Sequence, residues 1–587
     1  MSKHPNLITL MTAQRVPAYS RDSIHLMRKG GILGEGEEPE QMIERVLDAV
    51  LDVEQKFGAR PKEIRAFRAE VEELLCAGLL ALGTPILTNA GRKAAALSSC
   101  VAIPIGPRRP LESTLPTIEG HYSQSMGSGF NLDSEDDPVT IVEALNEHAQ
   151  SLTAASSHER AIANMANIDI DHPRVLDFIP LKSSRDDLVH FNLSINVTSA
   201  FMACLETGGI FTLRDGTRVE ASALYDSIVL AAWECGDPGL IFLERFNADN
   251  PTPHVGAYTT SAPCAEVGLA PGEACVFGYV NLAAFGRPGH PHGFDFSLLQ
   301  RVVGPLTRLL DDALEVSLPL YPTERSRIVM AEKRKIGIGV CGFADLLVRL
   351  GIPYGSERST RLLRDILLTI TLHSKRASVD LARTRGSFPA FAMSRLKLED
   401  GFLSNKYARI DSSVIDVTDW HDLEGAIGRY GLRNAVTTAL PPSGRTARLL
   451  SVSTSIEPWF SLVGPDLEPR LEVVAAIQAE TETEAERDEA LAAIRRFGTV
   501  QGCNQLPPGL RMVLRRTAEI TPAEHLLVAA EASRCVDEGI SKTINLSANA
   551  TPHTVALVFM EAWHLGMKAI SVYRDGSRAN QPEQLSG

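Results

Sequence analysis

Apolar residues recur at helical spacing from Pro39 onward, at Met42, Val46, Ala49, Val50 and Val53. That spacing marks an amphipathic helix with one buried face. A second run, Arg60 to Leu82, has the same character, so the two predict an N-terminal helical region. Before them, Met1 to Glu38 is irregular, broken by Gly30-Gly31 and Gly34. Gly83-Thr84-Pro85 closes the region. Beyond it, short apolar runs predict strands at Leu97 to Ile103, Phe191 to Val197, Gly239 to Leu243, Cys275 to Leu282 and Lys335 to Val340. Longer patterns predict helices at Glu220 to Glu234, Phe296 to Val316, Glu357 to Arg385, Leu471 to Phe497, Thr521 to Asp537 and Thr551 to Leu565. From Val139 on, strands and helices alternate, which predicts an α/β architecture. The expected division is a helical region over 1–82 and an α/β domain with C-terminal helical additions over 83–587. No internal repeat or low-complexity tract interrupts it.

Composition narrows the function classes. The 587 residues are 44% hydrophobic and 22% charged, and the formal charge is −14. An acidic chain is a poor candidate for general nucleic-acid binding, which favours a basic face. Anionic small molecules remain open, because single arginines and helix N-termini bind phosphate within acidic proteins. Nine cysteines, with no Cys-x-x-Cys, fit neither a secreted disulfide framework nor a zinc site. No apolar run approaches a membrane span, and Met1 to Arg15 does not read as a signal peptide. A cytoplasmic, thiol-reduced protein is expected.

Three stretches could carry chemistry. In Ser261-Ala262-Pro263-Cys264-Ala265-Glu266, a thiol lies two residues before a carboxylate. In extended chain, such positions face the same side. The spacing alone equally describes a structural cysteine beside a surface glutamate. Ser125-Met126-Gly127-Ser128-Gly129-Phe130-Asn131 would let backbone amides approach a ligand, or form a plain turn. Pro442-Ser443-Gly444-Arg445-Thr446 could cradle phosphate with backbone and hydroxyl donors, Arg445 adding a bidentate contact. It lacks the Gly-Lys-Ser/Thr of a nucleotide-hydrolysing loop. His148, His158, His172, His290 and His292 show no metal-ligand spacing, and no Gly-x-Ser-x-Gly turn occurs. No metal site is expected.

In order, these stretches resemble the catalytic subunit of ribonucleotide reductases, specifically the adenosylcobalamin-dependent class II. The resemblance runs from about Pro39 to Gln584. It rests on Leu97-Ser98-Ser99-Cys100, on Pro263-Cys264-Ala265-Glu266 and on the Cys275 strand. Lys335-Ile336-Gly337-Ile338-Gly339-Val340, Pro442-Ser443-Gly444, Ile456-Glu457-Pro458, Ile540-Ser541-Lys542-Thr543-Ile544-Asn545 and Val572-Tyr573-Arg574-Asp575-Gly576-Ser577-Arg578 complete it. The family implies a ten-stranded α/β barrel with a thiyl-bearing loop inside. It implies that Cys264 carries the radical and Glu266 takes the 3′-hydroxyl proton. Cys100 and Cys275 would supply two electrons. Thr84, Ser99, Gly127, Gly129, Ala262 and the loop Pro442, Ser443, Gly444, Arg445, Thr446 would hold the nucleotide. It also implies adenosylcobalamin as cofactor, a nucleotide or nucleoside substrate, an external thioredoxin-like thiol reductant and a homodimer. Tyr573 stands where class I members carry two tyrosines. His158-Glu159-Arg160 to Ile168-Asp169 lies where the family's specificity loop and dimer contacts begin.

Several positions depart from the family pattern. Ala262 replaces an asparagine, and Ala265 a glycine. The phosphate loop reads Ser-Gly-Arg-Thr, and Ser455 stands for the glycine before Ile-Glu-Pro. The expected C-terminal cysteine pair is absent from the sequence. Three functions follow: a divergent reductase, a radical epimerase or other modifying enzyme acting on a nucleoside or nucleotide, or a non-catalytic nucleotide-binding paralogue. Retention of all three cysteines favours reduction, because epimerisation needs no dithiol.

Overall fold

The structure is a computed structural model, and it describes residues 19–106, 111–155, 162–185, 187–464 and 468–578. The segment from His158 to Arg160, expected to begin a specificity loop, and the stretch Met1 to Arg15 lie outside them.

The sheet strands are β1 (Leu80–Leu82), β2 (Cys100–Ala102), β3 (Gly127–Asn131), β4 (Asn164–Asp169) and β5 (Phe191–Asn196). A surface hairpin, β6 (Ile210–Thr212) and β7 (Arg218–Glu220), precedes β8 (Gly239–Ile241). A second hairpin, β9 (Thr260–Ser261) and β10 (Gly268–Leu269), is followed by β11 (Ala274–Asn281), β12 (Ile336–Cys341), β13 (Thr543–Leu546) and β14 (Ala569–Arg574). Ten of these form one sheet, in the order β1-β11-β2-β3-β4-β5-β8-β14-β13, with β12 also on β11. Pairing is parallel from β2 through β5 to β8, and antiparallel where β11 meets β2 and β14 meets β8.

The sheet closes on itself. Ile338 of β12 bridges Thr438, and Leu440 bridges Ile540 just before β13. The chain at 436–440 thereby acts as the joining strand. Asp537 holds it, accepting from the Thr437 and Thr438 amides at 2.9 and 3.2 Å and from Lys375 Nζ at 2.8 Å. The expected ten-stranded α/β barrel is what forms. Helices cover its outside, among them Phe296–Ser317 and Glu357–Arg385, each with one deeply buried face. Such two-sided burial explains why the strands read as apolar runs rather than alternating ones. β11, for instance, is buried at every position.

Three element readings are corrected. The run Arg60 to Leu82 is a helix only over Pro61–Cys76; Leu80–Leu82 is β1, paired with β11. A short, wholly apolar tripeptide gives no period by which to tell the two apart. Leu471 to Phe497 is two helices, Leu471–Glu480 and Glu484–Phe497, because Thr483 and Glu486 form a capping box that starts a second one. The stretch around Gly127 is not a turn but β3, parallel to β2.

Candidate active site

The hairpin β9–β10 runs through the barrel and carries Cys264 at its tip. Three neighbouring strands each send an asparagine to it. Asn131 Nδ2 of β3 and Asn167 Nδ2 of β4 donate to the Thr259 carbonyl at 2.6 and 3.3 Å, and Asn192 Nδ2 of β5 donates to the Pro263 carbonyl at 2.7 Å. On the opposite side, the Gly539 amide donates to the Glu266 carbonyl at 3.0 Å. The two glycines of β3 explain the close approach. A Cβ at Gly129 would lie 2.3 Å from the Ser261 carbonyl, and one at Gly127 3.3 Å from Cys100 Sγ. The small residues thus admit the chain's own hairpin.

A buried ionic cluster holds the far strand of the hairpin. Lys335 Nζ lies 3.0 Å from Glu273 and 2.9 Å from Glu538, and donates to the Gly268 carbonyl at 2.8 Å. Lys333 pairs with Glu273 at 2.7 Å. Glu538 accepts from the Gly268 amide at 3.0 Å and the Tyr258 hydroxyl at 2.8 Å. Burial drags the Lys333 ammonium down to about 8, with Glu273 opposing. At Lys335 burial acts the same way, but the Glu273 and Glu538 carboxylates outweigh it and its proton is held more tightly than usual. Paired charges of this kind survive burial because each has a partner.

The tip is not extended. Ala265 adopts a left-handed conformation, φ +59°. Cys264 and Glu266 therefore do not share a face in the way their spacing implies. Cys264 is exposed, on the wall of a cavity of about 510 Å³. Glu266 is only 2% exposed, and its charge is felt at the Cys275 thiol.

Cys100 and Cys275 are opposite one another in the β2–β11 ladder. Directly opposed antiparallel residues lie about 4.5–5.5 Å apart at Cα, a span that a disulfide bridges. Both are buried with Ala262, Val267, Phe277 and Cys341 in one apolar cluster. Burial pushes the Cys275 thiol well above its ordinary range, although Lys335 opposes it. Cys275 is thus held as a neutral thiol.

Of the remaining residues expected to bind a nucleotide, Pro442 lines the cavity. Ser443 is buried, and its hydroxyl accepts from the Ser455 amide at 2.7 Å. Gly444, Arg445 and Thr446 begin the helix Gly444–Leu449, with Arg445 beside Gly30 and Thr446 Oγ1 donating to the Leu82 carbonyl at 3.4 Å. Thr84 starts the helix Thr84–Asn89, and the Ser99 amide donates to the Cys275 carbonyl at 3.2 Å. Apart from Pro442, none of these positions lines the cavity, nor do Gly127, Gly129 and Ala262.

Sequence reasoning missed a second charged group on the cavity wall. Lys542 Nζ meets Glu457 at 2.6 Å and His525 Nδ1 at 3.0 Å. Burial, with Lys542 adding to it, holds His525 well below its ordinary range. It also missed Asp133, Asp169 and Asp171, whose oxygens converge; Arg214 Nη2 lies among them at 2.7, 2.9 and 2.7 Å and supplies the positive charge.

Comparison with known proteins agrees with this geometry. The chain is 33% identical over 533 residues to a vitamin B12-dependent ribonucleoside-diphosphate reductase of Mycobacterium tuberculosis, covering 85% of this chain and 70% of that protein. A protein of the same description from Thermoplasma acidophilum is 30% identical over 528 residues, covering 85% and 64%. A vitamin B12-dependent ribonucleotide reductase of Streptomyces coelicolor is 24% identical over 616 residues, covering 92% and 63%. The chain therefore spans about two thirds of the length of these relatives. The fold matches the class Id ribonucleotide reductase alpha subunit of Actinobacillus ureae with a TM-score of 0.73 at 18% identity, covering 95% of this chain and 97% of that one. Residues 125–573 match the family described as the ribonucleotide reductase barrel domain. With a closed ten-stranded barrel, a cysteine-bearing hairpin through it and two opposed cysteines on its wall, the chain belongs to the ribonucleotide reductase family.

Proposed function

We propose that the protein reduces a ribonucleotide to its 2′-deoxy form by a thiyl-radical route dependent on adenosylcobalamin. The observation that carries this is the placement of Cys100 directly opposite Cys275 beside the Cys264 hairpin. An isomerising enzyme has no use for such a dithiol. The relatives named as vitamin B12-dependent support the cofactor.

The cavity beside Cys264 is within the size range of small-molecule sites. It carries both apolar and ionic wall groups, so a nucleoside-sized moiety fits against the thiol. Adenosylcobalamin, if bound, would supply the unpaired electron, and Cys264, exposed at the cavity, is the residue that would receive it. The chain's own part is positional. The hairpin presents the Cys264 sulfur to the ribose C3′ hydrogen, and the asparagines of β3, β4 and β5 keep it there. Glu266 accepts the proton of the 3′-hydroxyl. The Cys100 and Cys275 thiols give up two protons and two electrons; the 2′-oxygen leaves as water and a disulfide forms between them. Burial keeps the Cys275 thiol protonated, so that a proton is present to be given up. A ligand filling the cavity would cover the exposed Cys264 and keep a sulfur radical from water.

Turnover then needs an external dithiol of the thioredoxin type, which places the protein in a reducing cytoplasm. Among the described residues no helix is long and apolar enough to cross a membrane. We also read the chain as an N-terminal helical region, 1–82, followed by the barrel, 83–587, and working as a homodimer. The test is incubation with adenosylcobalamin, dithiothreitol and each ribonucleotide, followed by mass spectrometry. A product lacking one oxygen is expected, and Cys264→Ala should form none. An isomer of unchanged mass, or turnover by Cys264→Ala, overturns the reading.

A further inference from the structure

Ser455 is strained and unsatisfied at once. Its backbone is left-handed, φ +45°, a region that a non-glycine residue adopts only under strain. Such a conformation persists only where the surroundings impose it. Here they do. The Ser455 amide donates to Ser443 Oγ at 2.7 Å. Two residues earlier, the Ser453 amide donates to Asp345 at 2.7 Å, and the Ser453 carbonyl accepts from the Gly342 amide at 2.7 Å. The residue is 1% exposed, and its Oγ has no hydrogen-bond partner among the described residues. A buried hydroxyl left so is destabilising. Two penalties at one residue call for a use. Ser455 lines the cavity that also holds Cys264, Pro442 and the cation Arg448.

We propose that the Ser455 hydroxyl is a substrate-positioning group, donating a hydrogen bond to a phosphate oxygen of the nucleotide in the Cys264 cavity. The inference rests on the reading that this cavity takes a ribonucleotide. Phosphate is the moiety chosen for two reasons: the pinned loop shares its wall with Arg448, and its amide is already spent on Ser443, leaving Oγ as the donor to a ligand. A hydroxyl held on fixed backbone orients an anion without the rotamer loss of a long cation. It would set where the phosphate end stops, and hence where C3′ stands relative to Cys264.

The test is calorimetric titration of the reduced protein with ribonucleoside di- and triphosphates and with the matching ribonucleoside. Wild type is compared with Ser455→Ala, which removes the hydroxyl, and Ser455→Gly, which also removes the strain. Both variants should bind the phosphorylated ligands about tenfold more weakly, with ribonucleoside affinity unchanged. In turnover the loss should fall on KM rather than kcat. The Tm of Ser455→Gly should equal or exceed that of wild type, so its weaker binding cannot come from unfolding. Unchanged phosphate binding in both variants overturns this inference and leaves the reductase reading standing. An equal loss with the unphosphorylated nucleoside overturns the assignment to phosphate. Failure of wild type to bind any ribonucleotide sinks the reductase reading itself, and this inference with it.

Discussion

Cys264 stands on a turn, whereas Cys100 and Cys275 stand on two adjoining strands. The first faces a cavity; the other two are packed among apolar side chains. The strand pair needs no special support, because a ladder fixes both backbones and register alone sets their distance. The turn has no ladder of its own at its tip. Its position comes from asparagines on three strands, from Gly539, and from ion pairs around Lys335. The contrast teaches that a reactive group meant to meet a ligand requires support from a distance, while one meant to meet a neighbour needs only pairing.

The supports can be removed one at a time, and the strand pair should be indifferent to most of them. Lys335→Met leaves Glu538 buried without its lysine, and should cost about 3–5 kcal/mol in chemical denaturation. A cost below about 1 kcal/mol would mean that the cluster is not what holds the hairpin. Gly129→Ala forces the hairpin off β3, because a Cβ would meet the Ser261 carbonyl at 2.3 Å. Overpacking of that kind costs about 1–3 kcal/mol, and turnover should fall further than stability does. Equal activity at reduced stability would argue against a need for close hairpin packing. Asn192→Ala removes the bond to the Pro263 carbonyl, a loss of about 1 kcal/mol. Mass spectrometry should then show faster alkylation of Cys264 while Cys100 and Cys275 remain unmodified. Faster alkylation of all three would erase the distinction between the two regions.

The smallest effect is a pH slope. His525 is held neutral in the folded chain, by burial first and Lys542 second. The unfolded chain takes up a proton there near its ordinary value of about 6.5, and the folded chain does so only at lower pH. Stability is therefore present above about pH 6.5 and declines as pH falls below it. His525→Gln should flatten that decline between pH 7 and 5 in thermal melts. An unchanged slope would assign the acid sensitivity elsewhere.

Much of the scaffold could be read from local pattern. The helix Glu357–Arg385 matches its sequence reading at both ends, because Ser356 caps one end and Gly386 closes the other. β11 was legible within one residue, because apolar residues fill it between turn residues. What escaped depends on distance along the chain. β1 is three residues, meaningful only beside β11. Lys335 and Glu538 are far apart in sequence, so neither carries a local sign of the other. The three asparagines of β3, β4 and β5 could have been noted as polar residues within buried strands. At the tip, spacing suggested that Cys264 and Glu266 share a side; the left-handed Ala265 breaks that geometry. The order of motifs, rather than any one of them, pointed to the family.

The joining segment at 436–440 has a consequence for how the cylinder breathes. Its seam is fastened by backbone hydrogen bonds to Ile336 and Ile338 on one side and to Glu538, Gly539 and Ser541 on the other, and by the clasp of Asp537. Acidification deep enough to protonate Asp537, held at about 2 against the pull of burial by Lys375 and Lys406, would unfasten the seam. The hairpin's far anchor at Glu538 and Gly539, next to the clasp in sequence, would be loosened with it.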